Sequence, residues 1–119
     1  MTALPASAGE DDIVRRFRAM GWTSTDFSRK TIALDEIISG GVSKDQIPAI
    51  DRPVFARLSK VKDIAGREPV VSLKIANDAR AYPLRVMIWH EIVNDTVGGV
   101  PVAVTYCPLC NSAIAFRRT

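Results

Sequence analysis

Gly98-Gly99 lies between two apolar, alternating runs, Ile92 to Val97 and Val100 to Tyr106, and constrains the fold more than any other pair of residues. Two residues make the tightest hairpin connection, and glycine accepts the positive φ that such a turn demands. The flanking runs should therefore pair antiparallel, with Val97 opposite Val100. Counting outward, His90 falls opposite Cys107. Pro101 suits an edge position or the first residues of a strand, because it gives no N–H to a ladder. A helix ending near His90 would break this pairing early, so the count defines a neighbourhood rather than a contact. That neighbourhood holds the only histidine and both cysteines of the chain.

The remaining elements are arranged around this hairpin. Val70 to Ile75 sets Val71, Leu73 and Ile75 against Val70, Ser72 and Lys74, as in a strand with one face in a core, and Pro69 suits its start. Asn77-Asp78 is the turn signal, and Ala79 to Tyr82 the expected returning strand. Pro83 suits the first position of a helix with Leu84, Met87 and Ile88 on one face, ending near Trp89, His90 and Glu91. Upstream, Asp11 should cap a short amphipathic helix carrying Ile13, Val14, Phe17 and Met20, with Gly21 as its stop. Met1 to Glu10 is small and polar, and a loose tail is expected there. Thr31 to Ile38 allows a short strand followed by a helical turn. Gly40 to Phe55 reads as a structured loop shaped by its glycines, Pro48 and Pro53. Lys44, Asp45 and Asp51 could line a site in it, although aspartates in such loops ordinarily bond the loop to itself. The glycine–lysine–serine spacing of a phosphate loop is missing.

The expected fold class is α+β: mainly antiparallel strands in β-hairpins, with short helices and long ordered loops. Residues 1–21 form a tail and the short amphipathic helix, and residues 22–119 one α+β domain. A last strand over residues 112–118 meets the end of the sequence. The domain is therefore expected to be truncated at its C-terminal end, leaving Ile114 and Phe116 partly exposed.

Composition narrows the partners. With 47% apolar residues the chain can bury an ordinary core. Arg15, Arg16, Arg18, Arg117 and Arg118 make it mildly basic, but no aromatic residues interleave with them as stacking platforms. A solvated basic face is the expectation, and nucleic acid is not an expected partner. No apolar run approaches ~20 residues, so no membrane span is expected. Glu10, Asp11 and Asp12 stand where an export signal needs its apolar segment, which favours a cytoplasmic location.

Cys107-Pro108-Leu109-Cys110 carries the chemistry. Two thiols at this spacing can close a disulfide with each other or share one metal ion. As a redox pair, Cys107 at the strand end is the expected exposed nucleophile. Cys110, closer to the core, would resolve the mixed disulfide, with a protein or small-molecule thiol as partner and no cofactor required. As a metal site, Cys107, Cys110 and His90 would hold zinc or copper, one ligand short of a closed tetrahedral set unless Glu91 or a second chain completes it. The plain alternative is two cysteines that pack as small apolar residues. His90 is a candidate assistant to the thiols, since histidine ordinarily titrates near neutral pH, or a core residue with bonded ring nitrogens.

These residues carry three resemblances. A strand leading into C-P-x-C resembles the active-site motif of glutaredoxins, in which a following helix activates the first cysteine. The nine residues after Cys110 leave no room for the rest of that fold. Tyr-Cys-Pro-Leu-Cys-Asn resembles one knuckle of a zinc ribbon. The long run from Ala79 to Ala113, with Gly40 to Phe55 upstream, resembles the prokaryotic family called domain of unknown function 3179, over about Trp22 to Phe116. That likeness brings no established activity. It implies a longer domain, of which this chain is the front part, and frequent export. Some members carry selenocysteine in place of a cysteine of this motif, which implies redox chemistry, because a selenol gains nothing in a structural knuckle.

Overall fold

The computed structural model describes residues 9–119, so most of the expected loose tail lies outside the described residues. The described residues divide between Gln46 and Ile47 into two compact units. The first contains helix α1, Glu10–Ala19. Its N-cap is Gly9 rather than Asp11, with the Asp12 and Ile13 N–H groups bonding the Gly9 carbonyl. Glu10, Asp11 and Asp12 all fall in the first turn, where the helix dipole favours negative charge. Gly21 closes the helix as expected. It has φ +97, its N–H meets the Arg18 carbonyl, and the Trp22 N–H reaches back to Phe17. Ile13 and Leu34 are buried in this unit, and Phe17 stacks on Phe27 at 5.6 Å.

The short strand allowed at Thr31 to Ile38 is absent. A 3-10 turn, Leu34–Glu36, takes its place, and Ile32, Ile37 and Ile38 are exposed. This unit holds no other strand among its described residues, so a strand here would leave its N–H and C=O groups unpaired. Lys44 pairs with Asp45 and lies over the Trp22 ring. Both charged groups thus hold their own loop.

The second unit contains strands β1 (Val70–Ile75) and β2 (Asp78–Pro83), helix α2 (Leu84–His90), and strands β3 (Ile92–Val97), β4 (Val100–Cys107) and β5 (Ser112–Arg117). It is α+β, with two antiparallel sheets, β1-β2 and β3-β4-β5. Val97 pairs with Val100, and Gly98 and Gly99 both have positive φ, as expected. The core lies on one face of β3-β4. Val93, Val97, Val102 and Val104 pack there with Tyr82 and Met87, joined by the inner face of β1, Val71, Leu73 and Ile75. Pro101 falls on the central strand, not an edge, but as its second residue. Its carbonyl accepts the Arg118 N–H just past the last β5 pair, where a missing donor costs little.

Polar groups join the two hairpins. Asp78 accepts the Gly98 N–H at 3.1 Å and pairs with Arg80, whose guanidinium lies over Phe55. Tyr82 is buried and gives its hydroxyl proton to Asp95 at 2.8 Å. Burial first, and that bond second, push the Tyr82 phenol well above its ordinary range. A folded-state value raised above the unfolded one gives stability that is complete below about pH 10 and lost as pH rises further. The protein should therefore lose up to about 1.4 kcal/mol per pH unit above that point on this residue's account. Tyr82→Phe should cost about 1–2 kcal/mol near neutral pH and flatten the alkaline slope. Urea unfolding at several pH values reads both, and an unchanged slope in the variant would refute the assignment to Tyr82.

Candidate functional site

β4 ends at Cys107 and β5 begins at Ser112, its register partner, so the C-P-L-C motif forms a tight hairpin loop, Pro108 to Asn111. The Cys110 N–H bonds the Cys107 carbonyl at 3.2 Å, and the Asn111 N–H bonds Pro108 at 3.3 Å. Asn111 turns the chain into β5 with φ +46, a conformation that asparagine tolerates better than most residues. Its side-chain oxygen accepts from the Tyr106 hydroxyl at 3.4 Å. The motif leads into a strand, so the helix that activates the first cysteine in the glutaredoxin arrangement is not present after Cys110.

Both thiols are free. The expected order of exposure is reversed: Cys107 is half-buried and Cys110 exposed. Cys107 is still within the sheet, paired with Ser112 on the face opposite Val102, Val104 and Tyr106, while Cys110 sits out on the loop. The Cys110 N–H also points at the Cys107 Sγ, at 3.3 Å. The Cys110 thiol is pushed above its ordinary value, first by its hydrogen bond with Cys107, then by partial desolvation and by negative charge at Cys107 and Glu91. Cys110 is thereby kept protonated at neutral pH.

His90 is the last residue of α2. The final rung of β3-β4 joins the Tyr106 N–H to the Glu91 carbonyl. Glu91 then turns left-handed at φ +56, ending the ladder before it reaches His90 and Cys107. The His90 Nδ1 lies 2.8 Å from the Pro48 carbonyl. A carbonyl only accepts, so Nδ1 carries a proton in this contact. The carboxylate acting on Cys110 is Glu91, which the sequence offered as a supplementary ligand or an acid/base group. Its signal was its position directly after His90 in the hairpin count. Among the described residues, no three His, Cys, Asp or Glu side chains converge as a metal ion would need. Asp51 accepts from the Asn94 amide at 2.7 Å and serves to tie its loop to β3.

The second unit is thus an α+β domain of two antiparallel sheets that presents Cys107 and Cys110 on a hairpin loop. The family profile described as Protein of unknown function (DUF3179) matches residues 44–119, and the chain belongs to that family. The match takes in both hairpins, the cysteine loop and His90. No curated protein and no solved structure matches the chain. Among the described residues, no helix is long and apolar enough to cross a membrane.

Proposed function

We propose that Cys107 and Cys110 act as a dithiol/disulfide couple towards a protein or small-molecule thiol partner. The observation that carries this is the tight loop that sets the Cys110 N–H 3.3 Å from the Cys107 sulfur and keeps the two cysteines within one hairpin turn. The Cys107 thiolate attacks a disulfide of the partner, one partner sulfur leaves as thiolate, and a mixed disulfide forms. Cys110 then gives up its proton to the departing sulfur and attacks the Cys107 Sγ, releasing the second partner thiol. The product is a Cys107–Cys110 disulfide, and two electrons have passed to the partner. His90 enters as a positioning residue, because its ring ties the end of α2 to Pro48 beside the start of β3.

The zinc or copper alternative keeps the same two cysteines. It lacks a third ligand among the described residues, whereas the dithiol reading needs none. Thiol trapping with mass spectrometry across a glutathione series tests the proposal. A two-electron transition to a Cys107–Cys110 disulfide is expected, with a midpoint above about −300 mV, where structural disulfides do not titrate. Stoichiometric metal in tag-free protein, or a midpoint below that value, would remove the redox reading.

A further inference from the structure

Glu91 follows His90 at the end of α2 with φ +56, a backbone that ordinarily favours glycine or asparagine. It is pinned there from both sides. Its N–H bonds the Met87 carbonyl at 2.7 Å, and its own carbonyl accepts the Tyr106 N–H at 2.8 Å. The second bond sets Glu91 opposite Tyr106, about 5 Å away between Cα atoms, and Cys107 is the next residue. Side chains carried on such backbone are often found at functional sites. Glu91 is half-buried, and among the described residues no ion pair takes its carboxylate. We infer that the dithiol takes disulfides flanked by positive charge, with Glu91 as the residue that selects them.

The nearby cations are either distant or engaged. Arg117 pairs with Val102, five residues along β4 from Cys107, which is about 17 Å at about 3.4 Å per residue. Arg85 lies in the first turn of α2 but is held by Asp63 and Glu68, and Arg80 is held by Asp78. The His90 ring turns its Nδ1 to the Pro48 carbonyl. Glu91 therefore sets the sign of the field at the loop, and its negative charge already acts on Cys110. Two unit charges about 7 Å apart in water alter a rate by about threefold. A cation beside the partner's disulfide is drawn in by that factor and an anion is held off by it, about tenfold between the two.

The selection acts on the first step of the exchange and rests on the dithiol reading. The Cys107 thiolate bonds one partner sulfur as the partner's S–S bond breaks, and the other half leaves as thiolate. Cys110 then closes the Cys107–Cys110 bond, and its proton goes to the half released. The partner disulfide has gained two electrons and the two cysteines have lost them. Salt should erase the preference, because the screening length falls from about 30 Å at 0.01 M to about 3 Å at 1 M.

Oxidation rates with cystamine, hydroxyethyl disulfide and dithiodiglycolate, which are cationic, neutral and anionic, test the selection. Each rate is divided by that of the same reagent with mercaptoethanol, which removes the leaving group and the thiolate's own charge from the comparison. At about 0.01 M salt the normalised ratio of cystamine to dithiodiglycolate should be about tenfold, and at about 1 M salt near one. Glu91→Gln should bring the low-salt ratio close to one, and Glu91→Lys should invert it, which the loss of a merely structural residue does not do. A lysine-flanked cystine peptide is the polypeptide arm. A normalised rate above cystamine's assigns the cation to a protein partner, and one no higher assigns it to a small diamine disulfide. Thiols that react briskly with a low-salt ratio near one, or with a ratio that both substitutions leave unchanged, overturn the selection and leave the dithiol reading intact. Thiols inert to all three reagents overturn the dithiol reading and the selection with it.

Discussion

Gly98→Ala is expected to destabilise the domain by about 3 kcal/mol or more, a large share of the 5–15 kcal/mol that holds a typical domain folded. Gly98 has φ +55, and a Cβ there would stand 2.5 Å from the Ile75 carbonyl oxygen and 3.0 Å from its Cγ2. The left-handed backbone alone costs a side-chain-bearing residue about 1–2 kcal/mol. The contact with Ile75 adds more, because a backbone atom cannot rotate away as a side chain does. The end of β1 would have to retreat, stretching the 3.1 Å bond from the Gly98 N–H to Asp78 and loosening β1 over Val97. Gly99→Ala supplies the comparison. It has φ +79 but nothing within 4 Å of an added Cβ, so only the backbone cost of about 1 kcal/mol remains. Urea unfolding of the two variants should separate them clearly. Equal losses would mean that the hairpins do not meet at Gly98.

The central hairpin was legible to the residue because its turn, its alternation and its burial all demand one register. Where a single local rule stood alone, tertiary contacts overrode it. Asn77-Asp78 reads as a turn, yet the turn is Ala76-Asn77, and the alanine holds the positive φ at +52. Asp78 is drawn into β2 by its bonds to the Gly98 N–H and to Arg80, neither visible in local propensity. Pro83 was similarly displaced by one residue, from the first position of α2 to its N-cap. In the candidate site, the spacing of Cys107 and Cys110 announced a dithiol. Their exposure was misjudged because Cys107 is still held within the sheet by Ser112, while Cys110 falls on the loop outside it. The parts played by Glu91 and Asn111 depend on left-handed backbone that no periodicity reveals.

Cys110→Ser is expected to accumulate mixed disulfides with a small-molecule disulfide, and Cys107→Ser to accumulate almost none. Two effects oppose each other here. Cys110 is the more exposed thiol and should meet reagents more often, while Cys107 has the N–H donor at its sulfur. Cys110 is raised by its bond with Cys107, whereas the Cys107 sulfur has the N–H donor, so Cys107 should win. The backbone N–H of residue 110 survives the serine substitution, so Cys110→Ser keeps the activating contact while losing the resolving thiol. A trapped adduct then persists instead of being released. In Cys107→Ser, Cys110 loses the sulfur that raised it and should behave as an ordinary exposed thiol, alkylating more slowly than Cys107 does in the other variant. Intact-mass spectra after brief disulfide treatment near neutral pH read the adducts, and iodoacetamide kinetics read the rates. Faster labelling and trapping at Cys110 would reverse the assignment of nucleophile. Equal, slow labelling of both would return the loop to a metal knuckle or to packing.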